Sequence, residues 1–598
     1  MRSGYTLLTG SSEELSPDSK TKRRNRIVLL SAGITCAVLA LYTLNPFHRA
    51  PHSPKPAELD SFLKPITLEN ASAVFNTVQG ALRAKNSQIQ PIGVGFIPAY
   101  IPEGTLLYHG NGDGEVPDGP EWIAMDHEFS YNFIGDRANP KGNRTDDRHG
   151  PPGGHKGPGD GHGGGKNSSR GGGKWGKGNP LNPSNDHTTL FTFQVTKPLT
   201  RMILFDGSSA AKTDTGEMDQ QGILARMDPE GSVNERTAAD KICSWGKKFG
   251  LDGYIRIENG FEGVICDFKD KLAVVSNLKI EWSNDTLGLP LEFEGAKGDD
   301  YGNLTSQIKA MASYDWTKQG NIHDKREGRI QLDFRGFQTP VNKTYVSPDT
   351  YLRRILNISD DVKEEIITGL ETFLIKGSNP SAGTDWQLMT TEIVDKFAPL
   401  LQMLNRSVST FSEDESSLLN TAKNLTVFSN NFVRRFMNHE YANDSEAQLL
   451  HAKADAVNEY VHFLQEPQSE SEILIYSSLY TVTSSIVDVM FSSFLAGRDM
   501  LQTHYLKEAP LAGHIDQLKA LKAQISRVIS TIQWESTFYR CDRVCDWDEI
   551  CYTPSWGPSP LGWGGNWGTH EENGRNRIDN PLQCISYRTI LNERRRDH

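Results

Sequence analysis

The sequence predicts an α+β protein attached to a membrane by a single N-terminal helix. Three observations lead to this prediction. One long uncharged apolar run occupies Ile27–Leu44. Short apolar runs separated by glycine and proline, typical of strands, fill residues 90–285. From 346 to 536 the apolar residues recur at helical spacing with few breakers.

The apolar run Ile27–Leu44 has 18 residues and would span roughly 27 Å as a helix, which just crosses a hydrocarbon core. Basic residues are concentrated before it, so the tail 1–26 should face the cytosol and the rest the lumen or the exterior. These are Lys20, Lys22, Arg23, Arg24 and Arg26. A cleaved signal peptide is the alternative, but the polar leader is long and no small-x-small cleavage site follows Asn45.

Glycosylation sequons and cysteines both favour the lumenal placement. Ten asparagines fit N-x-[ST] and are candidate glycan sites: Asn70, Asn143, Asn167, Asn284, Asn303, Asn342, Asn357, Asn405, Asn424 and Asn443. Beyond the membrane segment the cysteines number six: Cys243, Cys266, Cys541, Cys545, Cys551 and Cys584. In an oxidising lumen they predict one local disulfide, between the first two, and two in the tail with connectivity left open. A zinc site in the tail is the alternative, although its spacing lacks a paired C-x2-C knuckle.

The predicted boundaries divide the chain into six parts. A cytosolic disordered tail (1–26) and the transmembrane helix (27–44) precede a stem (45–66), a β-rich α+β domain (67–345), an α-helical domain (346–536) and a module rich in Cys and Trp (537–598). Within the β-rich domain, residues 138–180 contain fifteen glycines and almost no apolar side chains. Such a stretch cannot offset the entropy cost of ordering, so we expect a disordered insertion there.

The β-rich domain begins with a helix over Leu68–Lys85, for which Thr67 is a suitable N-cap. Extended chain follows at Pro91–Gly110. The further predicted strands are Glu121–Met125, Leu190–Val195, Met202–Phe205, Tyr254–Glu258, Gly263–Phe268, Leu272–Leu278 and Arg329–Phe337. Two helices, Asp126–Ile134 and Ala238–Phe249, are predicted between them.

The α-helical domain is predicted from amphipathic stripes such as the one formed by Val362, Ile366 and Leu370. Its predicted helices are Ser347–Asn357, Asp360–Ile375, Asp385–Leu404, Glu415–Asn438, Ser445–Gln465, Ser471–Leu506 and Ala512–Trp534. Seven helices in about 190 residues are typical of a bundle.

The candidate site residues lie in the β-rich domain. Leu106–Gly110 (LLYHG) places a histidine at a strand end, Trp122 follows in the next strand, and Glu262 opens the strand that carries Cys266. This order resembles the ADP-ribosyltransferase fold, in its diphtheria-toxin and poly(ADP-ribose) polymerase branch.

The resemblance implies an NAD site. His109 and Gly110 would meet the ribose and the nicotinamide amide, and Trp122 stands where that family keeps a stacking tyrosine. Glu262 would bind a ribose hydroxyl and stabilise an oxocarbenium-like transition state. The catalytic residues implied are therefore His109, Trp122 and Glu262, with His109, Gly110 and Trp122 binding the cofactor.

Most of the ectodomain also resembles large single-pass membrane proteins of filamentous fungi, through the patterns LYHG…EW, DGYIR…GFE…CDF and CYTPSWGPSPLGWG. This resemblance implies architecture but no activity.

Two functions are therefore predicted. The first is a type II membrane glycoprotein of the secretory pathway or cell surface, which binds a lumenal protein or glycan and needs no cofactor or metal. The alternative is an NAD-dependent ADP-ribosyltransferase or NAD glycohydrolase. The net charge of −12 argues against a nucleic-acid partner.

Overall fold

The computed structural model describes only part of the chain. It covers residues 60–83, 95–112, 114–135, 187–208, 219–227, 234–257, 260–281, 326–341, 358–380, 383–462 and 469–534, with shorter stretches between 307 and 318, at 355, at 466–467 and between 543 and 594. The chain divides into two compact units, 1–61 and 62–598. The helices and strands named below lie in the second unit. The predicted membrane helix, the Gly-rich insertion and the predicted helix 347–357 lie outside the described elements.

The N-terminal part of the second unit is built on a nine-stranded sheet with the order β8-β4-β2-β3-β7-β6-β5-β1-β9. The strands are β1 (Phe96–Ile101), β2 (Leu106–Asn111), β3 (Glu121–Ala124), β4 (His187–Val195), β5 (Leu199–Ser208), β6 (Gly253–Ile257), β7 (Phe261–Ile265), β8 (Leu272–Glu281) and β9 (Gln331–Leu332). Neighbouring strands pair antiparallel except β5 and β6, which are parallel.

The helices that accompany the sheet are α1 (Leu68–Gly80), α2 (His127–Gly135), α3 (Asp219–Leu224), α4 (Glu235–Gly246) and α5 (Asp360–Leu374). Thr67 caps α1 as predicted, because its side chain accepts a hydrogen bond from the Asn70 amide. Since β5 and β6 are parallel, the chain must cross over between them, and α3 and α4 form that connection.

One face of the sheet is covered by α3, α4 and α5. Phe205, Tyr254 and Val264 from neighbouring strands pack there in one apolar cluster with Ile242 of α4 and Leu370 of α5. We call this the helix-covered face. The predicted disulfide between Cys243 and Cys266 is confirmed, and it joins α4 to the chain just beyond β7.

The helical part contains α6 (Trp386–Ser409), α7 (Glu415–Arg434), α8 (Ser445–Tyr460), α9 (Glu470–Tyr505) and α10 (Ile515–Ile532). Each begins within a few residues of its predicted start, because acidic or hydroxyl residues stand at the N-caps of four of them: Asp385, Asp414, Asp444 and Ser469. The α+β prediction is confirmed at this level.

Two helices pack differently from what the predicted domain boundaries imply. Helix α1 packs with the helical part, where Ser72 and Asn76 donate hydrogen bonds to the carbonyls of Thr531 and Ile532. Helix α5 instead packs on the sheet through Leu370 and its neighbours. An apolar stripe shows that a helix is covered on one side, but it does not show by which element.

Among the described residues, helix α9 is long and apolar enough to cross a membrane. However, 61% of its most apolar 18-residue window is buried inside the protein. Tyr476, Leu479, Ile486 and Met490 are fully buried there. This burial is typical of the core helix of a bundle.

The predicted strand Arg329–Phe337 is present but shorter than predicted. Gln331–Leu332 forms β9, and a single 3-10 turn, Phe334–Gly336, follows it. Asp333 ends the strand, because its carboxylate accepts a hydrogen bond from the Arg335 amide and caps the turn.

Among its described residues, the C-terminal module has short strands and one helix. They are β10 (Ile550–Tyr552), β11 (Pro558–Ser559), β12 (Gly562–Trp563), β13 (Thr569–Glu572), β14 (Arg575–Ile578), β15 (Gln583–Ile585) and α11 (Tyr587–Arg594). A disulfide joins Cys545 to Cys584, whereas Cys541 lies outside the described residues and Cys551 is described only in its backbone. Tyr314 anchors the module by donating a hydrogen bond to the carbonyl of Asp548 at 2.7 Å.

Candidate functional site

Glu262 projects from the helix-covered face of the sheet and is paired with a buried arginine. The antiparallel register of β6 and β7 places Arg256 directly opposite Glu262. Both side chains are almost fully buried, at 2% and 5% exposure, and Arg256 Nε donates to the Glu262 carboxylate. The glutamate that was predicted to open this strand is therefore one half of a buried ion pair.

The pair belongs to a larger polar network between the sheet and the crossover helices. Arg256 also contacts the Glu235 carboxylate of α4 at 3.2 Å and the Gln221 amide oxygen of α3 at 3.4 Å. The Tyr254 hydroxyl donates to the same Gln221 oxygen at 3.3 Å. Burial raises the pKa of Tyr254, so this hydroxyl stays neutral. We call these five residues the Arg256 network.

Trp122 lies on the same face as Glu262. The register pairs Trp122 with Val264 and Ala124 with Glu262, and directly opposed residues share a face. The indole packs on the apolar cluster of that face, and the Arg236 guanidinium lies 5.6 Å from the centre of its ring. The ring is thus occupied by protein contacts where the resemblance would place nicotinamide.

His109 projects from the opposite face. Tyr108 is the residue of β2 that pairs with Ala124, so the next residue, His109, points the other way, where its ring lies 6.0 Å from that of Phe268. His109 Nδ1 lies 2.7 Å from the Trp122 carbonyl, which can only accept, so Nδ1 carries the proton. Gly110 follows in β2, opposite Leu190.

The structure therefore brings His109, Trp122 and Glu262 onto adjacent strands but not into one cleft. A glutamate that stabilises a positive sugar must face that sugar, whereas Glu262 faces the Arg256 guanidinium. The Arg256 guanidinium lies between two carboxylates and also contacts Gln221, so these contacts fasten β6 and β7 to α3 and α4.

Asp206 is a second buried polar group, and the sequence motifs do not predict it. It lies in β5, where its Oδ1 accepts hydrogen bonds from the Gly95 amide at 2.8 Å and from Gln220 Nε2 at 3.1 Å. Burial raises the pKa of Asp206 to about 6, although these hydrogen bonds act against the rise. The sequence did contain a signal for a buried carboxylate, because Asp206 directly follows the apolar residues Met202–Phe205 and precedes a glycine.

The candidate glycan sites differ in exposure. Asn70 is only 7% exposed and lies on the buried side of α1, which leaves no room for a glycan in the folded chain. Asn405 and Asn424 are partly buried on their helices, whereas Asn443 is exposed at the start of α8. The others lie outside the described residues: Asn143, Asn167, Asn284, Asn303, Asn342 and Asn357.

Comparison with known protein families gives two matches that together cover most of the chain. The model described as the YPL277C N-terminal domain matches residues 56–299 and 294–379, and the model of the YPL277C C-terminal domain matches 385–508. The chain belongs to the YPL277C family. The division between the two family domains falls after α5, in agreement with the packing of that helix on the sheet.

Three relatives from Saccharomyces cerevisiae extend this assignment. The uncharacterized protein YOR389W is 34% identical over 584 residues, covering 89% of this chain and 90% of the relative. The uncharacterized protein YPL277C is 36% identical over 413 residues (61% and 81%). The putative uncharacterized protein YPL278C is 39% identical over 85 residues (13% and 85%). No solved structure matches the chain, and none of these matches is to an ADP-ribosyltransferase.

Proposed function

We propose that this member of the YPL277C family is a type II single-pass membrane glycoprotein whose lumenal or extracellular part binds a protein or glycan partner. The disulfide between Cys243 and Cys266 carries the proposal. Disulfides persist in oxidising compartments and are rare in the cytosol, so this bond supports an oxidising compartment, such as a secretory lumen or the cell exterior, for the sheet domain. The second disulfide, between Cys545 and Cys584, supports the same compartment for the C-terminal module.

The apolar run Ile27–Leu44 and its basic N-terminal flank support the anchor and its orientation. The binding role is favoured over NAD chemistry because the Glu262 carboxylate faces the Arg256 guanidinium and His109 lies on the other face of the sheet. The proposal requires no cofactor.

Protease protection on intact vesicles tests the topology. We expect added protease to remove only about 26 residues, because the cytosolic tail precedes the membrane segment. Digestion of the whole chain from the cytosolic side would refute the type II arrangement. If alkaline carbonate releases the protein from the membrane, the result would support the alternative of a cleaved signal peptide.

Glycosylation at Asn443 is a second test of the lumenal placement, because this sequon is exposed and could accept a glycan. Endoglycosidase should increase the gel mobility of the wild type, and Asn443→Gln and Ser445→Ala should each remove one glycan. Ser445→Thr is the matched control, because it keeps the N-x-[ST] acceptor and should keep the glycan. Identical mobility of all four proteins, before and after the enzyme, would contradict modification at this site.

The alternative function is tested by incubating the detergent-solubilised full chain with NAD. We expect no nicotinamide release above that of the heat-denatured protein. Turnover that disappears in His109→Ala, with the far-UV circular dichroism unchanged, would overturn the binding role in favour of an NAD-consuming enzyme.

A further inference from the structure

One tryptophan of the C-terminal module stands almost fully in solvent. Trp547 lies in the segment 543–549, just before β10, and is 85% exposed. Val544 of the same segment is 93% exposed. A large aromatic side chain that packs on nothing adds no stability to the fold, and tryptophan is enriched among the residues that carry most of the energy of binding interfaces. We call residues 543–549 the Trp547 loop.

The base of the Trp547 loop is held by contacts that leave the indole outside. The Cys545–Cys584 disulfide ties the loop to β15. Arg543 donates to both oxygens of Glu549, at 2.5 Å and 2.6 Å, and so closes the two ends of the loop on each other. One of these oxygens also accepts a hydrogen bond from the Asp546 amide at 2.9 Å.

Two side chains from the segment 307–318 hold the backbone beside the exposed ring. The Tyr314 hydroxyl donates to the Asp548 carbonyl at 2.7 Å, and Lys318 Nζ donates to the Trp547 carbonyl at 3.3 Å. The indole is therefore presented to solvent by an ordered backbone. A loop that is ordered before binding loses little conformational entropy on binding, and a tryptophan side chain has only two rotatable angles to fix.

A carboxylate lies next to the ring. The Trp547 amide donates to Asp546 Oδ1 at 2.8 Å, which holds this exposed side chain beside the tryptophan. Among the described residues no donor is bound to the second oxygen, Asp546 Oδ2. This oxygen can accept a hydrogen bond from a ligand that is stacked on the indole.

The cations around the loop are engaged with the protein. Lys318 Nζ donates to the Tyr314 hydroxyl at 3.2 Å, in addition to its bond with the backbone of the loop. Arg588 Nε donates to the Tyr587 hydroxyl at 3.2 Å, and Arg543 is held in the pair described above. The surface beside the ring therefore offers acceptors and suits a neutral ligand that donates hydrogen bonds. An anionic ligand would meet the negative charge of Asp546.

A neutral sugar ring has this combination of properties. The face of an indole carries negative charge density, which attracts the weakly positive C–H groups on the face of a pyranose. In β-linked glucose the ring hydroxyls are all equatorial, so each face of the ring presents C–H groups and the rim presents hydroxyl donors. Hydrogen bonds from such donors to a carboxylate are stronger than those to a neutral acceptor.

We propose that the Trp547 loop binds a chain of β-linked glucose units. The indole of Trp547 stacks on one sugar ring, and Asp546 accepts a hydrogen bond from a hydroxyl at the rim of that ring. The proposal rests on the binding role proposed above and identifies a neutral glycan as the partner.

Isothermal titration of the full chain with cellohexaose, and separately with laminarihexaose, tests this site in a polyoxyethylene detergent, whose head group is not a sugar. We expect saturable binding of at least one hexamer, weakened about tenfold or more in Trp547→Ala, the usual effect of removing an aromatic hot spot. Trp547→Phe should keep part of the affinity, because a smaller ring still stacks. Asp546→Asn should weaken binding less, since it keeps the acceptor and loses the charge.

Tyr505→Ala is the matched control, because this aromatic residue is also exposed but lies at the end of α9. It should bind like the wild type. A hexamer of glucuronic acid tests the charge argument. It should bind several-fold more weakly than the neutral hexamers, since its carboxylates meet Asp546.

The absence of saturable binding of both glucose hexamers to the wild type would overturn the proposal. Equal affinities of the wild type and Trp547→Ala, or tighter binding of the glucuronic acid hexamer, would overturn it as well. The protease-protection experiment separates this failure from that of the proposed function. A protein that keeps the type II arrangement but binds no glucose hexamer loses the glycan assignment alone.

Discussion

Glu262→Gln is expected to lower the free energy of unfolding by about 3–5 kcal/mol, the usual cost of removing one partner from a buried ion pair. The substitution leaves the Arg256 guanidinium buried with Glu235 as its remaining carboxylate in the Arg256 network. A glutamine at this position cannot neutralise the arginine, and its amide places an N–H near the guanidinium donors. The large effect therefore comes from the loss of the buried charged hydrogen bond at Arg256 Nε, because Glu235 is partly exposed and compensates the guanidinium less strongly than Glu262 does.

Urea denaturation followed by tryptophan fluorescence measures this cost. Glu364→Gln is the matched control, because Glu364 makes a two-pronged pair with Arg226 in which both side chains are about half exposed. Exposed pairs contribute about 1 kcal/mol or less. If Glu262→Gln costs no more than this control, the Arg256 network does not brace the fold. The double variant Arg256→Met/Glu262→Leu should recover part of the loss, since it removes both charges together.

Asp206→Asn is expected to stabilise the protein by about 3 kcal/mol at pH 7. The pKa of Asp206 is raised by burial from 3.8 to about 6, and each unit corresponds to about 1.4 kcal/mol. Between these values the folded state holds a proton that the unfolded state has lost, so stability decreases as the pH rises from about 4 to about 6. The decrease is complete above pH 6, where the buried carboxylate is charged.

Asparagine suits the site because it keeps the acceptor and adds a donor. Its oxygen can accept from the Gly95 amide and Gln220, as Asp206 Oδ1 does. Its amide nitrogen would take the position of Asp206 Oδ2 beside the Thr77 hydroxyl and could donate a hydrogen bond to that oxygen.

Thermal unfolding of the wild type and Asp206→Asn across pH 4–8 measures the effect. The two curves should meet near pH 4 and diverge up to about pH 6, with the variant more stable. Asp455→Asn, at an exposed position in the middle of α8, should follow the wild type at every pH. A constant offset between wild type and Asp206→Asn over the whole range would exclude titration of Asp206 as the cause.

Much of the local structure could be predicted from the sequence. The apolar spacing of helices such as α5 and α9, and caps such as Thr67, fix where a helix begins, because both signals lie within a few residues of the helix itself. The pairing of Cys243 with Cys266 was predictable for a similar reason, since no other cysteine lies near them in the sequence.

The candidate site could not be predicted, because its geometry depends on strand register. Glu262 at the start of a strand and His109 near the end of another are compatible with a shared cleft when only the sequence is considered. A shift of one residue in pairing exchanges the two faces of a strand, and register is set by contacts between segments far apart in the chain. The pairing of Tyr108 with Ala124, and of Ala124 with Glu262, sends His109 to the opposite face.

The sequence by itself determined the α+β class, the starts of the main helices and the pairing of Cys243 with Cys266, because each depends on neighbouring residues. Only the tertiary structure decided that α1 joins the helical part and that α5 covers the sheet. It also decided that Glu262 neutralises Arg256. The physical reason is that burial and charge pairing depend on which distant segments meet, and local spacing carries no information about that.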